Sequence, residues 1–594
     1  MERKKQLVRD QVSRLVNWGH WFAFFNGLLA MVAGVRYLST VGFPDSIIGW
    51  GYLAISTLGH FSFLAFIVYL VFIFPVTLLL PYSRILRGYA AIVATIGICA
   101  LLYDAVIYRE YGMHLSPFAF DLAFADLNSL LQGVSVFVTP LIVLVIELVL
   151  ANALWKRIDR IQRRNVGNKL VAVIGVCFVS SHLVHIWADA AEVTAITRFD
   201  DAYPISYPAT AKTFMENHGI DGSSLSSLPY EKSLQYPLHP LQCKMPQQQH
   251  PNVLVVAIDS FRSDLIDAQT MPFFHEFSQR NTRFTNHFSG GNQFYSGMFS
   301  LLYGLQGSYM DSVDLDFTSP LLTQTLKNEQ YQVDMFSVAS NVDSAKPKAI
   351  FNDFDMHLAD ESMGSAMADI SNIDSFNQWR HQQQGHWFAL LNLRSTEDYD
   401  TPVGFLGVET IRSANELKPA QKVLFNQYRQ SLNFVDQQLQ RLIESLPQNT
   451  IIIVTGVNGK VFTSNMDEAR HNLSPDNVKV PLVIHWPEAS SSQVNYRSSH
   501  YGIVPTLMTQ VLGCTNPPSD YSAGRHLLQP DDSTWLYVGD NRVFAIYQEN
   551  EITVIDRHGK YRIYNEDYSQ RLRKKMSAPE LLDVMREGRR FYGH

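Results

Sequence analysis

Cysteine is scarce in this chain, with four in 594 residues. That is too few for a disulfide framework to organise the fold. Charge is scarce as well. Charged residues make up 17% of the chain against 46% hydrophobic, which is low for a wholly soluble protein. A positive excess is missing: 48 Lys and Arg stand against 55 Asp and Glu, a formal net charge of −7. That balance gives no electrostatic footprint for nucleic acid. The start of the chain lacks a small-residue cleavage site, since its basic residues lead straight into a full-length apolar run, so no cleavable signal peptide is expected.

What is present is apolar sequence crowded into the first third. Five runs, over 21–38, 55–80, 89–108, 134–154 and 170–187, have the length needed to cross a bilayer. Lys and Arg orient them. Arg3, Lys4, Lys5, Arg9 and Arg14 precede the first run, Arg84 and Arg87 lie between the second and third, and Lys156, Arg157, Arg160, Arg163, Arg164 and Lys169 lie between the fourth and fifth. Short basic loops stay cytoplasmic, which places the N-terminus inside and everything after Asp189 outside. Trp18, Trp21, Trp50, Trp155 and Trp187 sit near run ends as interface anchors. Cys99 and Cys177 fall within runs, while Cys243 and Cys514 fall on the outer, oxidising side and could pair.

Ionisable residues inside a bilayer are costly and face other helices or a cavity. His60, Asp104, His182 and His185 are of this kind. No acid-and-base relay runs along one span, so interhelical hydrogen bonding is the favoured reading over a proton or ligand pathway. Gly27, Ala30, Ala33 and Gly34 are small enough for close helix packing.

From 190 to 249 the chain turns polar and rich in Ser, Pro and Gln, as a connector does. Ser206-Tyr207-Pro208 can start a helix over 209–218 and Gly219 can end it. Thr210 and Lys212 at such a helix start suit a phosphate, and Phe214 and Met215 suit acyl chains. A strut that only joins the spans to the rest is an equal alternative.

Beyond Asn252, apolar strand-like runs alternate with amphipathic helical stretches. The segments 333–337, 387–393, 451–455 and 480–485 read as buried strands, and 421–446 as a long amphipathic helix. This alternation implies an α/β domain around a largely parallel sheet, followed over 535–562 by a small antiparallel sheet. Ligands bind beyond the C-terminal ends of such strands. Asp259 and the pair Val457-Asn458 each follow a strand, so they share a rim.

These residues carry a specific resemblance. Ala-Ile-Asp259, Gly291-Asn292, Ser-Leu-Leu-Tyr303-Gly304, Thr455-Gly-Val-Asn-Gly459, the run from Val480 to Pro487, and Ser499-His500 look like the sulfatase/alkaline phosphatase superfamily. The segments from Trp18 to Asn26, Gly59 to Leu64, His182 to Asp189, Ser206 to Ala211 and Phe214 to Gly219 resemble the YejM/PbgA inner-membrane proteins of Gram-negative bacteria. The resemblance covers essentially the whole chain. It implies three regions: a five-helix transmembrane domain over 1–189, a periplasmic linker with an interfacial helix over 190–249, and a periplasmic sulfatase-like domain over 250–594.

The resemblance also implies a role. Members sense lipopolysaccharide at the periplasmic face of the inner membrane, binding lipid A near the linker helix, which here corresponds to Tyr207, Thr210, Ala211, Lys212, Phe214 and Met215. Through their spans they engage the adaptor LapB, which directs the protease FtsH to LpxC. Cardiolipin binding or transport has also been proposed for the family. The superfamily mechanism needs a Thr, Ser or modified Cys nucleophile activated by metal held on carboxylates and histidine. The nucleophile position falls here at Gln293. The Asp-His ligand pair falls at Val457 and Asn458. Thr285 lies too far upstream to substitute, and Ser296 requires a longer turn. Asp259 alone survives of the metal set, with His471 and His500 at later positions of the rim.

The expectation is therefore a vestigial site of Asp259, Gln293, Val457, Asn458 and His471, with no metal and no cofactor. Asp259 is read as a structural acid accepting backbone N–H bonds. The favoured function is a catalytically inactive lipid sensor. The alternatives are a metal-dependent phospho- or sulfo-ester hydrolase or transferase with an atypical site, and a cardiolipin-binding or transport protein.

Overall fold

The structure is a computed structural model that describes residues 2–111, 114–115, 135–190, 196, 199, 202–206, 234–244 and 250–592, with short interruptions. The chain divides into two compact units, Met1–Glu231 and Lys232–His594.

Among the described residues of the first unit five helices are long and apolar enough to cross a membrane. They are α1 (Glu2–Val41), α2 (Ile47–Leu79), α3 (Ser83–Tyr111), α4 (Ser135–Arg163) and α5 (Gly167–Ala190). Helix α1 begins at Glu2, well before the apolar run at 21, because Lys, Arg, Glu and Gln are good helix formers and carry the helix on. Within α2, Tyr69–Ile73 forms a π-helical stretch.

Glycine sets the closest contacts between spans. A Cβ on Gly27 would lie 3.2 Å from Ser62 Cα, and one on Gly34 would lie 2.4 Å from the Phe61 ring, so both glycines on α1 admit α2. A Cβ on Gly59 would lie 2.7 Å from Phe178 Cα, so α2 and α5 meet backbone to backbone.

Polar groups in this unit hide between helices. Buried Asp104 accepts from the Tyr37 hydroxyl at 2.6 Å, from His114 Nδ1 at 2.7 Å and from the Leu115 N–H. His60 bonds the Pro204 carbonyl at 3.0 Å, and His182 bonds the Phe178 carbonyl at 2.9 Å. The sequence reading passed over Glu147. It is fully buried in α4 and accepts from the Asn26 side chain of α1 at 3.2 Å.

In the second unit an eight-stranded sheet runs β4-β3-β5-β1-β6-β7-β2-β8. These strands are β1 (Asn252–Ile258), β2 (Thr282–Phe284), β3 (Gln332–Val338), β4 (Asp355–Ala359), β5 (Trp387–Leu393), β6 (Thr450–Gly456), β7 (Leu482–His485) and β8 (Ser492–Val494). Only β7 runs against its neighbours. Along β1, Val253, Val255 and Ala257 enter one core and Leu254, Val256 and Ile258 enter the other. A strand covered on both faces must be apolar at every position, which is why it reads as a continuous run. Flanking helices include α6 (Pro272–Arg280), α7 (Phe294–Tyr303), α8 (Ser365–Gln382) and α9 (Pro419–Ile443). A second sheet of five antiparallel strands spans Leu536–Gly539 to Arg571–Leu572. The pairing left open by the sequence is resolved: Cys243 and Cys514 form a disulfide between backbones joined in an antiparallel bridge.

Candidate functional site

Register builds the rim. Ile258 pairs with Leu393 on one side and Gly456 on the other. The next residues, Asp259, Arg394 and Val457, therefore emerge at one level at the C-terminal end of the sheet. Asn341 joins them from the turn after β3, and Asn392 from the end of β5.

Asp259 is 3% exposed. Its Oδ1 accepts from Asn392 Nδ2 at 2.8 Å and its Oδ2 from Asn341 Nδ2 at 3.2 Å. The expectation of backbone N–H partners is corrected here. The β1 end is already paired to β5 and β6, so the donors that reach the carboxyl are side-chain amides. The two amides are locked in turn, since Asn341 Nδ2 also donates to Asn392 Oδ1 at 2.8 Å and Asn392 Nδ2 to the Ala257 carbonyl at 3.1 Å. Burial, with a smaller push from the Glu397 charge, raises the Asp259 carboxyl to about 8, and the amide bonds and Arg394 only partly oppose it.

The surrounding charges are also engaged. Arg394 donates to Asn341 Oδ1 at 3.0 Å, to Ser340 Oγ at 2.6 Å and to Asp398 at 3.0 Å. Lys460 Nζ sits 2.8 Å from the Glu397 carboxylate, which also accepts from Ser260 Oγ. Arg262 grips Asp264 with two bonds of 2.9 and 2.7 Å and reaches Asp476 at 3.1 Å.

Val457 is fully buried within the main core. Its N–H bonds the Ile258 carbonyl at 2.8 Å, and its carbonyl accepts from Ser289 Oγ at 2.6 Å. Gly297 of α7 packs so closely on Val457 that a Cβ there would lie 2.2 Å from its carbonyl oxygen. Asn458 is mostly buried, and its Nδ2 turns back to the Gly459 carbonyl at 2.8 Å. Gln293 is the residue that caps α7, in extended conformation. Ser296, one turn into the helix, spends its hydroxyl on the Gln293 carbonyl at 3.2 Å.

Asp259, Gln293, Val457 and Asn458 are thus gathered at one end of the sheet, while His471 is solvent-exposed. His500 is a correction to the rim reading. It is wholly buried beneath it, bonding Ser300 Oγ at 3.2 Å and Thr455 Oγ1 at 3.3 Å, because the α7 and β6 hydroxyls face it. Burial lowers its imidazole to about 4. Thr285, just after β2, spends its hydroxyl on Asn495 at 2.9 Å.

A metal implied by the sulfatase fold does not fit this donor set. Val457 offers no ligand atom, Asn458 is folded onto its own backbone, and both Asp259 oxygens face amide donors. Among the described residues no three His, Cys, Asp or Glu side chains converge as metal ligands. The sequence reading missed Asn341, Asn392, Arg394, Glu397 and Lys460. Asn392 carried a signal, being the one polar residue in the run Trp387–Leu393. The connector residues Tyr207, Thr210, Ala211, Lys212, Phe214 and Met215 lie outside the described residues.

Comparison with known proteins agrees with this architecture. Residues 5–243 match a family described as a domain of unknown function (DUF3413), and residues 251–513 match the Sulfatase family. The inner membrane protein YejM of Salmonella typhimurium is 31% identical over 611 residues, covering 100% of both chains. An uncharacterized protein of Haemophilus influenzae is 30% identical, covering 94% of this chain and 93% of its own. Among solved structures, a protein of the alkaline phosphatase superfamily from Vibrio parahaemolyticus is similar over 61% of this chain and 93% of its own, at 15% identity and a TM-score of 0.48. With 31% identity to YejM over the full length of both chains, an apolar helical unit and a sulfatase-like domain, the chain belongs to the family of the inner membrane protein YejM.

Proposed function

We propose that this protein is a catalytically inactive sulfatase-like sensor of lipopolysaccharide at the periplasmic face of the inner membrane. The observation that carries the inactive part is the state of Asp259, capped on both oxygens by Asn392 and Asn341 beside a buried Val457. A hydrolase needs a metal-activated nucleophile at this rim. Here the position offers Gln293, whose amide is not a nucleophile.

The lipid reading rests on family membership and on the connector sequence. Thr210 and Lys212 at a helix start suit lipid A phosphates, and Phe214 and Met215 suit its acyl chains. The residues just before that segment support a starting point at the spans. Tyr203 is 4% exposed, bonds Thr57 at 2.6 Å and stacks on His60, so this part of the connector is held on α2. Regulation would follow through a LapB-like adaptor on the spans, and so through FtsH to LpxC. The orientation is the one the basic loops set, with the sulfatase-like unit in the periplasm.

The test is lipopolysaccharide binding by the purified full-length protein. Lys212→Glu removes a charge-assisted bond of roughly 1.5–3 kcal/mol and should weaken binding about tenfold or more. Phe214→Asp should weaken it through the acyl contact. Parent-like affinity in both variants would reduce the connector helix to a strut.

A further inference from the structure

The outer surface of α4 carries a groove that the sulfatase-like rim and the connector do not involve. It is lined by Leu148, Val149, Asn152, Ala153, Lys156 and Arg157 and opens on a shallow space of about 420 Å³. The lining forms two parallel rows on one helix, 148/152/156 and 149/153/157. Each row covers about 12 Å of helix axis at 1.5 Å per residue. Each passes from an apolar residue to a cation. Val149 is 63% exposed, and Leu141, Ile142 and Val145 on the same helix are exposed too, so this side of α4 is an apolar surface turned away from the bundle.

The cationic end lies where a headgroup would lie. Trp155, one residue before Lys156, is flanked by the guanidinium groups of Arg14 at 4.7 Å and Arg87 at 5.4 Å. Arg87 reaches into the groove wall and donates to Asn152 Oδ1 at 2.5 Å. Charge balance there is uneven. Arg14 is matched by Asp159 at 2.8 Å. Among the described residues Arg87 hydrogen-bonds the neutral Ser83 carbonyl and Asn152 and no acid. Lys156 and Arg157 are exposed and form no ion pair with an acid among the described residues. The nearest acid in sequence, Asp159, is the one held by Arg14, and Glu147 is turned into the bundle toward Asn26.

We infer that this groove binds one anionic phospholipid of the leaflet at the Arg163 end of α4. Its phosphate would lie against Lys156 and Arg157, with Arg87 behind, and its first acyl carbons would lie along Leu148, Val149 and Ala153. Uncompensated cations at one end and an apolar slot at the other match a charged head on an apolar tail. Neither a soluble anion nor a neutral lipid would use both halves.

The experiment is native mass spectrometry of the full-length protein in detergent, with phosphatidylglycerol or phosphatidylcholine added. Phosphatidylglycerol should be retained in preference to phosphatidylcholine. The double variant Lys156→Gln/Arg157→Gln should lower that retention by roughly tenfold or more, as loss of charge-assisted hydrogen bonds implies. Ala153→Trp, which fills the slot and keeps the charges, should lower it as well. Glycerol 3-phosphate should not displace the lipid. Because these side chains lie on the outer face of α4, an unchanged melting temperature is expected in both variants. Equal retention of the two lipids, parent-like retention in either folded variant, or displacement by glycerol 3-phosphate would overturn the inference.

Discussion

Asp104 in the span unit and Asp259 in the sulfatase-like unit are both buried carboxyls, 2% and 3% exposed, and the two regions satisfy them differently. Asp104 gathers a phenol, an imidazole and a backbone N–H from α1 and from the chain just beyond α3. Asp259 gathers two neutral carboxamides, one from a strand end and one from the turn after β3, and Arg394 donates to the second of them, Asn341. The first is an acid that ties α1 and the chain beyond α3 to α3. The second is an acid at a position where a hydrolase would hold metal, with an amide donor on each of its oxygens. The sheet presents this acid at its rim, and the groups that meet it there are amides.

The sharpest way to break this comparison is to put a ligand back. Val457→Asp introduces an unpaired carboxylate into the main core and should cost about 3–5 kcal/mol, read as a lower unfolding midpoint. It should restore no phosphate- or sulfate-ester hydrolysis in the presence of manganese.

The second prediction concerns pH. The Asp259 carboxyl is held at about 8 in the fold against an ordinary 3.8, because burial disfavours its charge. Its contribution to stability is full below the ordinary value and is lost as pH rises through about 8. The melting temperature of Asp259→Asn minus that of the parent should therefore rise steadily between pH 4 and pH 8. A constant difference would mean that Asp259 is charged throughout.

Asn392→Ala should cost about 1–3 kcal/mol, since it strips the shorter of the two donors from a buried acceptor. In the spans the corresponding change is milder. Tyr37→Phe removes one of three donors to Asp104 and should cost about 0.5–1.5 kcal/mol. Chemical denaturation of the first variant, and thermal melting of the second in detergent, would rank them. The reverse ranking would place the tighter constraint in the spans.

Much of this was legible in the sequence. The apolar runs and basic loops marked five spans, and the continuous runs of β1, β5 and β6 marked strands covered on both faces. Val457-Asn458 stood out because a hydrocarbon side chain cannot ligate metal. Other features depend on convergence in space. Asn341 and Arg394 meet Asp259 only because register aligns strand ends that lie far apart in sequence. Glu147 sits singly between Ile146 and Leu148, and only the phase of α4 against Asn26 of α1 turns it inward. The Cys243–Cys514 pairing closes a separation of 271 residues, which spacing alone could not select. His500 read as a rim residue, yet the hydroxyls of Ser300 and Thr455 hold it below the surface.

The donor set at the rim does not fit a catalytic metal. Elemental analysis tests it most directly, on full-length protein equilibrated with manganese, zinc or calcium and then freed of unbound ion. Far less than one ion per chain is expected, with no difference between the parent and Asp259→Asn. One ion per chain in the parent, lost in Asp259→Asn, would contradict it.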